Sequence, residues 1–332
     1  MFPYFKNLSR EEILQLTNVR PGEQKLGEVI QTATDLAAAL ANPGIRYVLL
    51  GIPEDIGVRA NGGIGGAHSL WGPFLRAFLN VQAQKALKPG QVLLLGSFQL
   101  DDLMQASETA DLAALRALTA RVDEAVFPLI QQIIAAGKLP IVIGGGHNNA
   151  YPLLRGAATA MGRPLNCINL DAHADYRATE GRHSGNGFRY AKEQGYLKRY
   201  AAIGLHRNYN QEAIMETFAT EPDLFANFYD DIIAGETDFN TLIQQGLQHA
   251  ATAPMGMELD LDCIAGVLAS AATPSGITAA AARAFVATCA QAATLAYAHF
   301  TEGATRLRDG RQDETTAKLV AYLVTDLIRY SK

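Results

Sequence analysis

Short apolar runs alternate along this chain with longer segments of helical period, and that alternation limits the fold more than any other feature. The runs are Tyr47 to Gly51, Val92 to Gly96, Pro140 to Ile143, Leu165 to Leu170, Ala202 to Leu205, Met255 to Leu261 and Ala296 to Thr301. A strand covered on both faces has no polar side to show, so near-continuous apolar runs of this length belong to a parallel sheet between layers of helix. Leu112 to Ala136, Thr278 to Ala293 and Glu314 to Tyr330 carry apolar residues three and four apart and are expected as helices, with Thr278 and Asp313 as N-caps. An α/β fold follows.

No proline-rich linker, repeat or low-complexity tract divides the chain, so a single domain over 1–332 is expected, with 1–44 as an N-terminal helical extension. Lysine and arginine total 28 against 33 acids, a net charge of -5 without a basic run, which argues against nucleic acid as a partner. Met1 to Glu12 carries Lys6, Arg10, Glu11 and Glu12 and has no apolar core like that of a signal peptide. No uninterrupted apolar run approaches the roughly 18 residues of a membrane span. The expected setting is cytoplasmic, without a membrane. Cys167, Cys263 and Cys289 are too few and too scattered for a disulfide framework or a zinc ribbon and are expected reduced, Cys167 and Cys289 in the core.

Two clusters sit where apolar runs end: Asp171-Ala-His173-Ala-Asp175 and Glu258-Leu-Asp260-Leu-Asp262. Strand side chains alternate faces, so residues two apart project together and each cluster aims several ligands at one point. His147 follows another run through Gly144-Gly145-Gly146. Open parallel sheets gather their sites beyond the carboxyl ends of strands, where all three stretches lie. His147, Asp171, His173, Asp175, Asp260 and Asp262 are therefore candidate metal ligands. Asp171 and Asp260 are candidates to bridge two ions, His147 and Asp175 to complete one, and His173 and Asp262 the other. Carboxylates and imidazoles without thiolate suit a hard or borderline ion such as manganese. A metal pair about 3.5 Å apart acidifies a shared water, so hydrolysis is the expected reaction. Asn61 to His68 is glycine-rich but lacks the Gly-Lys-Ser/Thr of a phosphate loop and is expected to form a turn beside the site, with His68 a weaker candidate for substrate contact.

These motifs resemble the ureohydrolases: arginase, agmatinase, guanidinobutyrase and formimidoylglutamase. The likeness runs from Gly51-Ile-Pro-Glu-Asp-Ile-Gly57 and the Asn61 to Ala67 loop through Gly144-Gly-Gly-His147 and both acid clusters to Thr301-Glu302-Gly303. It implies a three-layer arginase-like fold around a mostly parallel eight-stranded sheet, two Mn2+ ions per subunit on the six residues named above, and homo-oligomers, commonly trimers or hexamers. It also implies that Glu302 pairs with the amidine or guanidine group being cleaved, and that Asp175 passes a proton to the leaving amine.

Aligned on Ser184-Gly185-Asn186, the position of the arginase proton-shuttling histidine falls on Phe188, which speaks against arginase itself. Asp175-Tyr176-Arg177 is similar to the Asp-x-Arg of formimidoylglutamases, whose substrate carries two carboxylates that a guanidinium fork would hold. Arg177, Ser184 and Asn186 are the expected substrate-binding residues; Arg182 and Arg189 add positive charge. His183 is the candidate substitute relay, and His206 a candidate pocket wall. The implied reaction is N-formimidoyl-L-glutamate and water to L-glutamate and formamide, in histidine degradation. An agmatinase, a guanidino-acid ureohydrolase and a noncatalytic metal-binding member of the family are the alternatives. The second cluster departs from the usual Ser-x-Asp-x-Asp-x-x-Asp-Pro, with Glu258 in place of serine and no Asp-Pro after Cys263.

Overall fold

A computed structural model describes residues 2–252 and 254–332. Nine strands among them form one sheet: β1 (Phe5–Asn7), β2 (Tyr47–Gly51), β3 (Val92–Phe98), β4 (Leu139–Ile143), β5 (Leu165–Leu170), β6 (Leu197–Leu205), β7 (Leu224–Phe228), β8 (Met255–Asp260) and β9 (Leu295–Thr301). Their order across the sheet is β1-β3-β2-β4-β9-β8-β5-β6-β7. Strands β2 to β9 are the parallel set of eight; β1 is the addition, antiparallel to β3 at one edge. The N-terminal stretch thus supplies a strand as well as helices. No helix among the described residues is long and apolar enough to cross a membrane.

Period-two alternation divides the core into two halves. Tyr47, Leu49, Leu94, Ile141, Ile143, Ile168 and Leu170 face one way, against Phe74, Phe78, Ile243, Phe285 and Val320 of the helices Trp71–Leu79, Phe239–Ala250, Ala279–Ala292 and Thr315–Tyr330. Val48, Leu50, Leu93, Leu95, Val142 and Cys167 face the other way, against Val122, Val126, Leu153, Leu154 and Phe188 of Leu112–Ala135, Ala150–Met161 and Gly187–Glu193. The result is three layers, helix, sheet and helix. All three cysteines are free and buried.

Thr278 caps its helix as expected, its side chain accepting from Ala281 N. The last helix begins one residue later than expected: Glu314 holds the cap position, while Asp313 Oδ1 accepts from Thr315 N at 2.8 Å.

What positions the site is the adjacency of four strands, β4, β9, β8 and β5. Their carboxyl ends carry His147, Glu302, Asp260 and Asp171 respectively, so residues up to 155 apart in sequence meet at one edge.

Candidate active site

After β4 the chain must turn sharply to bring His147 back over the sheet. Gly144 and Gly145 do this with φ of 84° and 74°, a region that costs other residues strain. A Cβ on Gly145 would also stand 2.3 Å from Asn149 Nδ2. Beneath the turn the buried carboxylate of Glu54 accepts from Gly146 N at 3.0 Å and Asn149 Nδ2 at 2.7 Å. Glu54 stands in the motif that follows β2, and its role as a prop for this loop was not read from the sequence.

The Asp171 loop is tied down in the same way. Asp171 Oδ1 accepts from His173 N at 2.7 Å and Oδ2 from Asn169 Nδ2 at 3.0 Å, while Asn210 Oδ1 accepts from Ala174 N at 2.8 Å. Asp260 Oδ1 accepts from Asp262 N at 2.8 Å and so folds the second cluster inward. Glu302 N donates to Gly145 O at 3.0 Å, and its Oε1 accepts from His147 N at 2.8 Å, which joins the ends of β9 and β4. Asp175 and Glu302 hold φ of 46° and 62°, strained backbone for a residue with a Cβ, a condition that gathers at working sites.

All six expected ligands converge. His147 Nδ1 lies 2.9 Å from Asp175 Oδ2, 3.1 Å from Asp260 Oδ2 and 3.2 Å from Asp171 Oδ2. His173 Nδ1 lies 3.1 Å from Asp262 Oδ2 and 3.5 Å from Asp171 Oδ1. Asp171 therefore offers one oxygen to each group, as a bridging ligand does. Asp260 was expected to bridge as well, but its donor atom groups with His147, Asp171 and Asp175 and not with His173 and Asp262.

Buried acids at such separations repel one another. Burial, then the charge of Asp171, raises Asp175; burial, Asp262 and Asp171 raise Asp260 further. Burial also acts on Asp171, but hydrogen bonding to His147 and His173 outweighs it and holds that carboxylate below its usual range. For His147, burial opposes the charge while Asp171, Asp175 and Asp260 lift it well above the ordinary range. Glu302 is pushed up to about 8, chiefly by burial, against the pull of the His147 amide. Divalent cations at the centre of such a set would invert these shifts, holding carboxylates ionised and imidazoles neutral.

The donor set suits such cations. His147 Nδ1 and Asp262 Oδ1 are buried without an aligned hydrogen-bond partner, although Nδ1 faces three carboxylates. Atoms aimed at a common centre instead of at each other are what a coordinated ion organises. Cys263 stays outside the set: its buried thiol donates to Asp260 O at 2.9 Å and is raised by burial, then by Asp262.

A cavity of about 280 Å³ opens onto His173, Asp175, Asp260, Asp262 and Glu302. Its outer wall includes Asn61, Arg177, Ser184, Tyr209, Asn210 and Ser270. Arg177 Nη1 donates to Asn61 Oδ1 at 2.8 Å, and Asn61 Nδ2 donates to Ser184 Oγ at 3.3 Å, so one asparagine holds two of the three expected binding residues. Tyr209 stacks on His173 with ring centroids 5.2 Å apart. Ser270 Oγ accepts from Ile64 N at 2.8 Å, and a Cβ on Gly63 would stand 2.7 Å from it, so the glycine loop and the loop after Asp262 close together.

The remaining polar candidates lie away from the cavity lining. His183 is buried outside the cavity lining, its Nδ1 accepting from Gly185 N at 3.1 Å. Burial, then Arg177 and Arg116, lowers it to about 4, so it is neutral near pH 7 and a poor relay. Asn186 is also inside the loop, accepting from Arg182 at 2.7 Å and donating to Gly181 O at 2.8 Å. Arg182 is buried against Asp123 at 2.8 Å, and Arg189 pairs with Glu193 at 2.8 Å. His68 lies 2.9 Å from Asp55 rather than on the cavity wall. His206 stands outside that lining, stacked on Tyr209 at 5.4 Å, and lines a neighbouring cavity with Tyr209 and Tyr229. Phe188 packs behind the site, 4.3 Å from the Tyr200 ring and edge-on to His147.

A model of the arginase family matches residues 46–329. Among curated relatives, a formimidoylglutamase of Chromobacterium violaceum is 33% identical over 180 residues, 53% of this chain and 52% of that one. A formimidoylglutamase of Corynebacterium efficiens is 43% identical over 77 residues, 23% of this chain and 24% of that one. The chain thus spans between about a quarter and about half of the length of these relatives. A crystal structure of Trypanosoma cruzi formiminoglutamase with Mn2+ superposes with a TM-score of 0.71 at 18% identity, covering 92% of this chain and 97% of that one, a likeness of fold.

Proposed function

The chain belongs to the arginase family, and from that premise we propose that it hydrolyses N-formimidoyl-L-glutamate to L-glutamate and formamide on a pair of manganese ions. The observation that carries this reading is Asp171, one oxygen turned to each imidazole, buried among His173, Asp175, Asp260 and Asp262, which line a cavity that also bears Arg177. His147, Asp171, Asp175 and Asp260 would hold one ion, and Asp171, His173 and Asp262 the other. Bound there, the ions supply a water acidic enough to act as a nucleophile near neutral pH.

The chain's own residues do the rest. Glu302 Oε1 is fixed by the His147 amide, which leaves its other oxygen to accept from the amidinium N–H of the substrate. A cation placed there would keep Glu302 ionised despite its burial. Asp175, partly exposed in the cavity wall, takes up the proton of the attacking water and delivers it to the glutamate nitrogen as the C–N bond breaks. Arg177 and Ser184, held through Asn61, anchor the carboxylates and so fix the formimidoyl carbon over the acid cluster. The names of the two curated relatives support this choice of substrate.

The test is a substrate panel on manganese-loaded protein: N-formimidoyl-L-glutamate, agmatine, 4-guanidinobutyrate and arginine. Formamide and glutamate from the first, without urea from the others, is the expected result. Urea from a guanidino compound would overturn the substrate assignment. Metal binding without turnover on any of them would identify a noncatalytic member.

A further inference from the structure

Glu258 is fully buried in the middle of β8, and the reaction described above does not use it. A carboxylate in such a place must be matched by donors. Neighbouring β9 supplies them from one face: Tyr297 OH donates to Glu258 Oε1 at 2.8 Å, and His299 Nδ1 lies 2.6 Å from Oε2, with His299 paired directly to Glu258 in the register. The other nitrogen of His299 is 3.2 Å from Gly144 O, on the turn that leads to His147. The network therefore ends under the loop that carries His147.

Its carboxylate also reaches the His147 ring. Glu258 Oε2 lies 3.5 Å from His147 Nε2, the nitrogen on the far side of the ring from Asp171, Asp175 and Asp260. That Nε2 is buried and has no aligned hydrogen-bond partner, and Glu258 is the carboxylate facing it. A ligating imidazole needs its other nitrogen protonated and held, because that choice fixes which lone pair meets the ion and how the ring is turned.

We infer that Glu258 is the positioning residue of His147: its carboxylate accepts from Nε2–H, locks the tautomer whose Nδ1 faces the acid cluster, and is itself held by Tyr297 and His299. This rests on the reading of His147 as a metal ligand. It also gives a role to the glutamate that replaces the serine usual in this motif.

The experiment is a calorimetric Mn2+ titration of metal-free wild type, Glu258→Gln and Tyr297→Phe, with the melting temperature of each metal-free protein as control. Wild type is expected to bind two ions. In E258Q one ion is expected to bind about 10- to 100-fold more weakly, with the second within a few-fold of wild type. Y297F is expected to weaken the same ion by less. Unchanged binding of both ions in E258Q would overturn the inference. So would equal weakening of both together with a lower melting temperature, the mark of a merely structural ion pair. If E258Q does not fold, Y297F decides, and wild-type binding of both ions by that variant counts against the role. A wild type that binds no ion would instead sink the metal reading itself.

Discussion

Two neighbouring stretches of this chain, the series Asp171-Ala-His173-Ala-Asp175 and the loop from Tyr176 to Phe188 that follows it, are equally rich in polar groups and were both expected to serve the site. All three ligand candidates of the first face the acid cluster, whereas of the four binding or relay candidates in the second only Arg177 and Ser184 reach the cavity. The difference lies in what places each side chain. A strand end carries its alternation outward for a few residues, and the hydrogen bond from His173 N to Asp171 Oδ1 continues that order past β5. A loop has no such rule, and its polar groups are claimed first by its own backbone. Asn186 and His183 spend their hydrogen bonds shaping the loop that presents Ser184.

Replacing a residue from each stretch makes this contrast measurable. Asp171→Asn should have the largest effect, because it removes the charge shared by both groups: kcat/KM is expected to fall about 10³-fold or more, equivalent to about 4 kcal/mol in the transition state. Calorimetric titration should then show fewer than two Mn2+ ions bound. Retained activity with two ions would remove Asp171 from the bridging role. Arg177→Ala should come next, through loss of a charged hydrogen bond of about 2–3 kcal/mol. Steady-state kinetics should show KM up roughly 30-fold with kcat changed much less. A fall confined to kcat would mean that Arg177 does not anchor substrate.

The smallest effect is expected from His183→Gln, with kcat within about threefold of wild type, below the usual gain from acid-base catalysis. Its signature should be in stability. His183 binds its proton less readily folded, at about 4, than at its ordinary value of 6.5, so between these pH values the unfolded chain takes up more protons. Stability falls as pH falls through that window, and the glutamine variant should lose this part of the dependence in denaturant melts at pH 7 and pH 5. A large loss of kcat would restore His183 as a relay.

The same physics decides what was legible in the sequence. Parallel strands buried on both faces announce themselves as apolar runs, and β2 to β5, β8 and β9 match theirs to within two residues, while the Ala202 to Leu205 run marks only the buried end of β6, whose first half carries Lys198 and Arg199. β7, Leu-Phe-Ala-Asn-Phe, lies at an edge and is only partly buried, so its run is broken by polar and small residues. β1 has three residues and no apolar run at all. In the site, the ligand candidates were visible through their spacing at strand ends. Tyr209, Asn210 and Ser270 were not, because they are single polar residues on separate loops that meet only in the folded chain, and Asn61 was legible only as the start of a loop beside the site. Glu258 was visible as a departure from a motif, but its partners on β9 required the register.

The short β1 has a consequence for how molecules of this protein meet one another. A sheet edge with unpaired N–H and C=O groups is a template for another chain, and β3, the seven residues Val92–Phe98, is entirely buried and rich in leucine. Phe5, Lys6 and Asn7 pair with Phe98, Ser97 and Gly96 and cover one end of that edge with a short piece bearing an exposed lysine, while Gln31 bridges Val92 and Leu94 at the other end. The N-terminal segment is in this sense a guard on colloidal behaviour: without it, crowding would bring bare sheet edges together.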